Sequence, residues 1–160
     1  MAGWENFFIA EVGASAALAG LIFVGVSLNL ARILAQPRLP NRAFGALTIL
    51  LAILIIASLS LVPQQSVSVI GGETLVAGIL TWLLMVRLDW RIQKATEAQY
   101  KRISLLNVAM SQIATLPYLI GSIQLLGGSI NGFYWFVPAV IFSFVKAVLD
   151  AWVLLVEINR

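Results

Sequence analysis

A chain of 160 residues with 61% hydrophobic and 11% charged residues, and a mean hydropathy of +0.97, cannot cover a globule of its own size with polar surface; soluble domains carry about 25% charged residues. A water-soluble fold is excluded, and the expectation is an integral membrane protein. The lack of cysteine and histidine excludes disulfides, thiolate nucleophiles, Cys/His metal centres and histidine acid–base catalysis, while the net charge of +3 matters through its placement.

A hydrocarbon core about 30 Å thick takes roughly 20 apolar residues of helix, and charged residues cut the chain into pieces of that size. Twenty uncharged residues separate Glu11 from Arg32, giving a first span at 10–32. Ala14-Ser15-Ala16 has the small-residue look of a cleavage site, but no basic stretch precedes it, so the segment reads as a retained helix. Gly13, Ala16, Ala17, Gly20, Val24, Ser27 and Ala31 share one side of it, with Glu11, Ser15, Gly25 and Asn29 opposite. Small residues at that spacing let another backbone come close. Neither side suits lipid, so this helix is expected in the middle of the bundle or against another copy.

Thirty uncharged residues lie between Arg42 and Glu73, broken by Pro63. The second span is therefore 44–62, apolar all round and expected at the periphery. Only thirteen uncharged residues separate Glu73 from Arg87, so a third span at 69–88 needs Arg87 to snorkel or Glu73 to lie inside; the alternative is a re-entrant segment. The stretch from Arg87 to Arg102 reads as its helical extension.

Forty-three uncharged residues run from Arg102 to Lys146, and the cluster from Gly127 to Gly132 supplies a turn within them. Spans at 103–126 and 133–156 follow. In the fourth, Ser104, Asn107, Ser111, Thr115, Tyr118 and Ser122 fall within roughly 80° of arc, a ribbon that must face protein or water. Pro117 inside it is expected to free the Ile113 carbonyl. In the fifth, Ser143, Lys146, Asp150 and Glu157 lie within roughly 60°, with Lys146 roughly 18 Å deep counted from Tyr134. A charge at the bilayer centre costs about 2.5–3.5 kcal/mol, so Lys146 needs a partner. Asp150 is one turn away, and Glu73 is the cross-helix alternative. The pair either pins helix packing or forms a charged constriction facing the ribbon.

Charge placement decides the topology. Arg32, Arg38 and Arg42 flank the first connection and Arg87, Arg91, Lys94, Lys101 and Arg102 the third, whereas the second and fourth connections carry no Lys or Arg. That alternation predicts an all-α, polytopic transmembrane bundle of five spans, N-terminus outside and C-terminus inside. Trp4 and the run from Phe133 to Phe136 are expected in the outer aromatic belt, Trp90 and Trp152 near the inner one.

No nucleotide loop, metal-ligand spacing, dinucleotide fingerprint or serine-nucleophile elbow occurs. No cofactor or metal is expected. Headgroups and topology account for the basic edges, so nucleic acid is not implied. Trp4-Glu5-Asn6-Phe7-Phe8, the run from Gly13 through Leu30, Leu61-Val62-Pro63-Gln64-Gln65 and the segment from Trp152 to Ile158 resemble a family of small bacterial membrane proteins, often catalogued as modulators of the membrane protease FtsH. The resemblance implies a bacterial cytoplasmic membrane and a partner-binding role, and carries over no functional residue.

Three classes of function follow. One is a homo-oligomeric ion-permeation or ion-coupling protein, with Lys146 and Asp150 setting charge selectivity and the fourth-helix ribbon supplying oxygens. Another is a non-conducting subunit that binds a membrane-protein partner through the small-residue side of the first helix. A membrane enzyme is disfavoured, since only the carboxylates and Lys146 could do acid–base work.

Overall fold

The computed structural model describes residues 3–94 and 101–158. Within them lie α1 (Trp4–Leu28), α2 (Leu30–Leu34), α3 (Leu39–Ser60), α4 (Val67–Lys94), α5 (Lys101–Leu126), a 3-10 turn (Ile130–Gly132) and α6 (Phe133–Ile158). Five of the six α-helices, all but the short α2, are long and apolar enough to cross a membrane. The protein is an all-α helical bundle.

Local chemistry sets the boundaries. α1 stops at Leu28 because Asn29 leaves helical backbone (φ −113°, ψ 16°), its side-chain amide donating to the Gly25 carbonyl at 3.0 Å. α4 is unbroken over 28 residues, about 42 Å at 1.5 Å per residue, and carries Glu73 inside its first turns; a re-entrant segment does not describe it. Its extension through 95–100 lies outside the described residues. α5 ends in a turn that needs glycine. Gly128 sits at φ 85°, where side chains strain the backbone, and its N–H reaches the Leu125 carbonyl at 2.8 Å while the Ser129 N–H reaches Gln124 at 3.0 Å. This paired closure satisfies carbonyls that the helix end would orphan.

Helices α3, α4, α5 and α6 form a ring in which each packs against the next and α6 returns to α3. Hydrogen bonds joining Asp89 to Asn107 and Thr74 to Ser122 place α4 and α5 antiparallel, and the Arg42–Asp150 pair fixes α3 against α6. One end of the ring gathers the N-terminus of α3, the C-terminus of α4 and the N-terminus of α5, and with them Arg38, Arg42, Arg87, Arg91, Lys94, Lys101 and Arg102. We call it the basic end. The Thr74–Ser122 bond (2.9 Å) ties the opposite half. Ser122→Ala is expected to lower stability by about 0.6 kcal/mol, the average for interhelical side-chain bonds in a membrane, measurable by denaturant unfolding in micelles.

Three expectations are corrected. The second span is not peripheral: 56% of its apolar window is buried, against 17% for α1, and α3 packs on α1, α4 and α6. Its Ala46, Leu50, Ile53 and Ala57 lie in the main core. An all-apolar helix satisfies a protein interior and lipid equally well, so composition left its position open. α1 does not lie in the middle. It leans on α3 with Phe8, Ser15 and Ile22, and Gly13, Ala16, Ala17, Gly20, Val24, Ser27 and Ala31 are exposed. The aromatic run also divides, because Phe133 and Phe136 are fully buried and stack with Phe8, leaving only Tyr134 and Trp135 to the exterior.

Candidate functional site

Each helix of the ring sends a polar side chain inward within roughly one to three turns of the basic end. Arg42 comes from α3, Asp89 from α4, Asn107 and Ser111 from α5, and Lys146 and Asp150 from α6. The i,i+4 spacing of Lys146 and Asp150 stacks them on one side of α6, where they form an ion pair with both side chains 3% exposed. Arg42 Nη1 reaches the other oxygen of Asp150 at 3.2 Å. One carboxylate thus bridges two cations.

Asp89 completes the layer. It is 3% exposed, takes a hydrogen bond from Asn107 Nδ2 at 3.1 Å and lies within electrostatic reach of Lys146, Asp150 and Arg42. Ser111 neighbours the same carboxylate and donates to the Asn107 carbonyl at 3.1 Å; among the described residues Asp89 Oδ2 has no hydrogen-bond partner. The four charges sum to zero. Removing charge from water is costly unless it is paired and hydrogen-bonded, and here pairing is uneven: Asp150 holds two cations and Asp89 neither.

The α5 ribbon turns into the ring. Ser104, Ser111, Thr115, Tyr118 and Ser122 are buried and Asn107 half-buried. Much of it bonds within the helix, Thr115 donating to the Ser111 carbonyl at 2.8 Å. From α6, Ser143 is buried and donates to the Ala114 carbonyl at 3.4 Å. The cross-helix acceptor beside Pro117 is thus Ala114, where the missing proline N–H pointed to Ile113. Beyond Ser143 the packing tightens. A Cβ on Gly121 would stand 2.6 Å from the Gly132 carbonyl oxygen and 2.8 Å from the Phe136 ring; α5 and α6 are shut against each other there.

Other sequence candidates lie elsewhere. Glu73 accepts both its side-chain bonds from Gln65 at 3.1 Å, and Asp89 lies sixteen positions further along α4, a rise of about 24 Å; it is not the partner of Lys146. Glu157 is half-buried, its backbone carbonyl accepting from Gln36 at 3.4 Å. It lines a cavity of about 290 Å³ with Arg38 and Arg42 at the basic end. Gly13, Ala16, Ala17, Gly20 and Ser27 are remote from the network, and no atom beyond α1 lies within 4 Å of where a Cβ on Gly13 or Gly20 would stand.

Reading by sequence missed Arg42 and Asp89. Arg42 reads as part of a basic connection that orients the bundle, and Asp89 falls in the charged stretch from Arg87 to Arg102 that reads as a helical extension. A usable signal existed for Asp89: Ile70, Thr74, Gly78, Thr81, Met85, Leu88, Asp89 and Ile92 recur at helical spacing and are all buried. No protein-family model, curated protein or solved structure matches the chain.

Proposed function

We propose that the protein is a non-enzymatic ion-coupling bundle of a bacterial cytoplasmic membrane, its site the buried network of Lys146, Asp150, Arg42 and Asp89. One observation carries this reading: four charges from three helices meet inside the ring and share two ion pairs unevenly. A network built only to pin helices gains most when every charge is satisfied. Intramembrane ionisable groups facing a bundle interior mark ion pathways and proton relays. The closed seam at Gly121 and Gly132 argues for coupling through a change of partners, with Ser143 and the α5 hydroxyls above the network, and against a standing pore.

Reconstituted protein is expected to pass an ion down its gradient in liposomes. Lys146→Ala is expected to change that rate at least about tenfold, the equivalent of 1.4 kcal/mol in a barrier. No flux from the intact protein would sink the reading.

A second reading has its own observation. α1 presents Gly13, Ala16, Ala17 and Gly20 to the exterior with little else packed on that helix. Interfaces between membrane helices are enriched in such residues, so α1 suits a second copy or a larger membrane protein, as the resemblance to protease modulators implies. A homo-oligomer serves both readings. Gly20→Leu is expected to leave the ring folded while reducing the assembled mass measured by light scattering in detergent. Stoichiometric co-purification with a larger membrane protein, together with nil flux, would make the non-conducting subunit the function.

A further inference from the structure

We propose that Asp89 is the proton-binding carboxyl of this network, loaded from the basic end through the cleft between α4 and α5. The assignment deepens the ion-coupling reading and rests on it. The cleft has a volume of about 230 Å³ and is lined by Gln93, Lys101, Ser104 and Leu105. Gln93 lies one turn beyond Asp89 on α4, and Ser104 one turn before Asn107 on α5, so the cleft stands over the Asp89–Asn107 pair. Among the described residues, two buried oxygens near it have no hydrogen-bond partner, Asp89 Oδ2 and Ser104 Oγ, on residues that are 3% and 5% exposed. Buried polar atoms are rarely left so, and a proton on Oδ2 turns an unmet buried acceptor into a neutral O–H donor.

The surroundings select the ion. Arg42 from α3 and Lys146 from α6 both belong to Asp150, Asn107 and Ser111 face Asp89 from α5, and Lys101 stands at the cleft. A divalent cation takes six or more oxygens and would meet two fixed positive charges. A proton needs one oxygen. When it adds to Oδ2 from water in the cleft, Asp89 becomes a neutral acid whose O–H donates to Ser104 or to water, and Lys146 stays with Asp150. When it leaves, Asp89 is an anion with no cation of its own and competes for Lys146. The proton's presence therefore decides which aspartate holds the lysine, and that choice is the coupling.

The chain contains two aspartates, Asp89 and Asp150, so carboxyl-¹³C aspartate reports on two groups. In lipid-reconstituted protein, infrared spectra across a pH series are expected to show one aspartate converting reversibly between acid and carboxylate. Asp89→Asn is expected to abolish the conversion. As a check that needs no variant, an apolar carbodiimide, whose central carbon is attacked by a carboxyl oxygen once the carboxyl proton has passed to its nitrogen, is expected to label the intact chain at Asp89, located by peptide mass. Conversion that survives Asp89→Asn, labelling confined to other carboxyls, or an unchanging spectrum would each overturn the proposal. Suppression of the label by Na⁺ at fixed pH would overturn it in favour of a metal cation. None of these readouts needs flux, so nil flux with a titrating Asp89 would fault the transport reading alone.

Discussion

Asp150→Ala is expected to destabilise the bundle by about 3–5 kcal/mol, the range for breaking a buried pair from one side. Asp150 is the only anion bound by an ion pair to Lys146 and to Arg42 among the described residues, so its loss strands two cations. Lys146 is 3% exposed, so its ammonium is left inside the ring without its anion. Arg42 is better placed, since its side chain is 15% exposed and lines the cavity shared with Arg38 and Glu157, from which its guanidinium can reach the interface. Lys146→Met should therefore cost less, because Arg42 still neutralises Asp150. The double change Lys146→Met with Asp150→Leu should recover much of the loss, as apolar replacement of whole buried pairs does elsewhere. Thermal unfolding of the unchanged protein, Lys146→Met, Asp150→Leu and the double variant in one detergent gives the coupling energy directly. Additive single changes would mean that the pair is not closed as described.

Gly71→Ala carries the second large effect. Its Cβ would press on the backbone of Leu125 and Leu126, with the nearest carbons at 2.6 and 2.7 Å. Backbone cannot step aside as a flexible side chain can, so α4 and α5 must part, and overpacking of this kind costs typically 1–3 kcal/mol. Parting them also strains the Thr74–Ser122 bond one turn deeper. Gly20→Ala is the contrast. Nothing beyond its own helix lies within 4 Å of that Cβ, and alanine is about 1 kcal/mol better than glycine in a helix, so a neutral to stabilising result is expected. Unfolding midpoints compare the two within one experiment. Equal effects would show that the tight α4–α5 crossing is not what glycine 71 serves.

Both predictions rest on features that differ in how plainly they could be read beforehand. The i,i+4 pair of Lys146 and Asp150, the ribbon from Ser104 to Ser122 and the turn at Gly127–Gly132 follow from helical geometry and from the cost of polar groups in lipid. Nothing comparable marked Gly71, since a glycine against a neighbouring backbone and a glycine facing lipid are identical in one dimension. Glu73 illustrates the converse: its charge makes it the cross-helix alternative to Asp150 as a partner for Lys146, but its position along α4 ties it to Gln65 at the far end of the ring.

What the amino-acid order determined by itself is the number of spanning helices, their approximate limits and the inward faces of α5 and α6. Those follow from hydropathy and from a 100° step per residue, quantities local to each segment. Only the tertiary structure decided that α3 is central and α1 marginal, that Phe133 and Phe136 are core, and that Arg42 and Asp89 join the α6 pair. In water, polarity separates inside from outside; in a bilayer both sides of a helix meet hydrocarbon, so which apolar helix is enclosed depends on shape complementarity between segments far apart in the chain. Charges near helix ends are ambiguous for the same reason, serving orientation or an interior site according to where neighbouring helices place them.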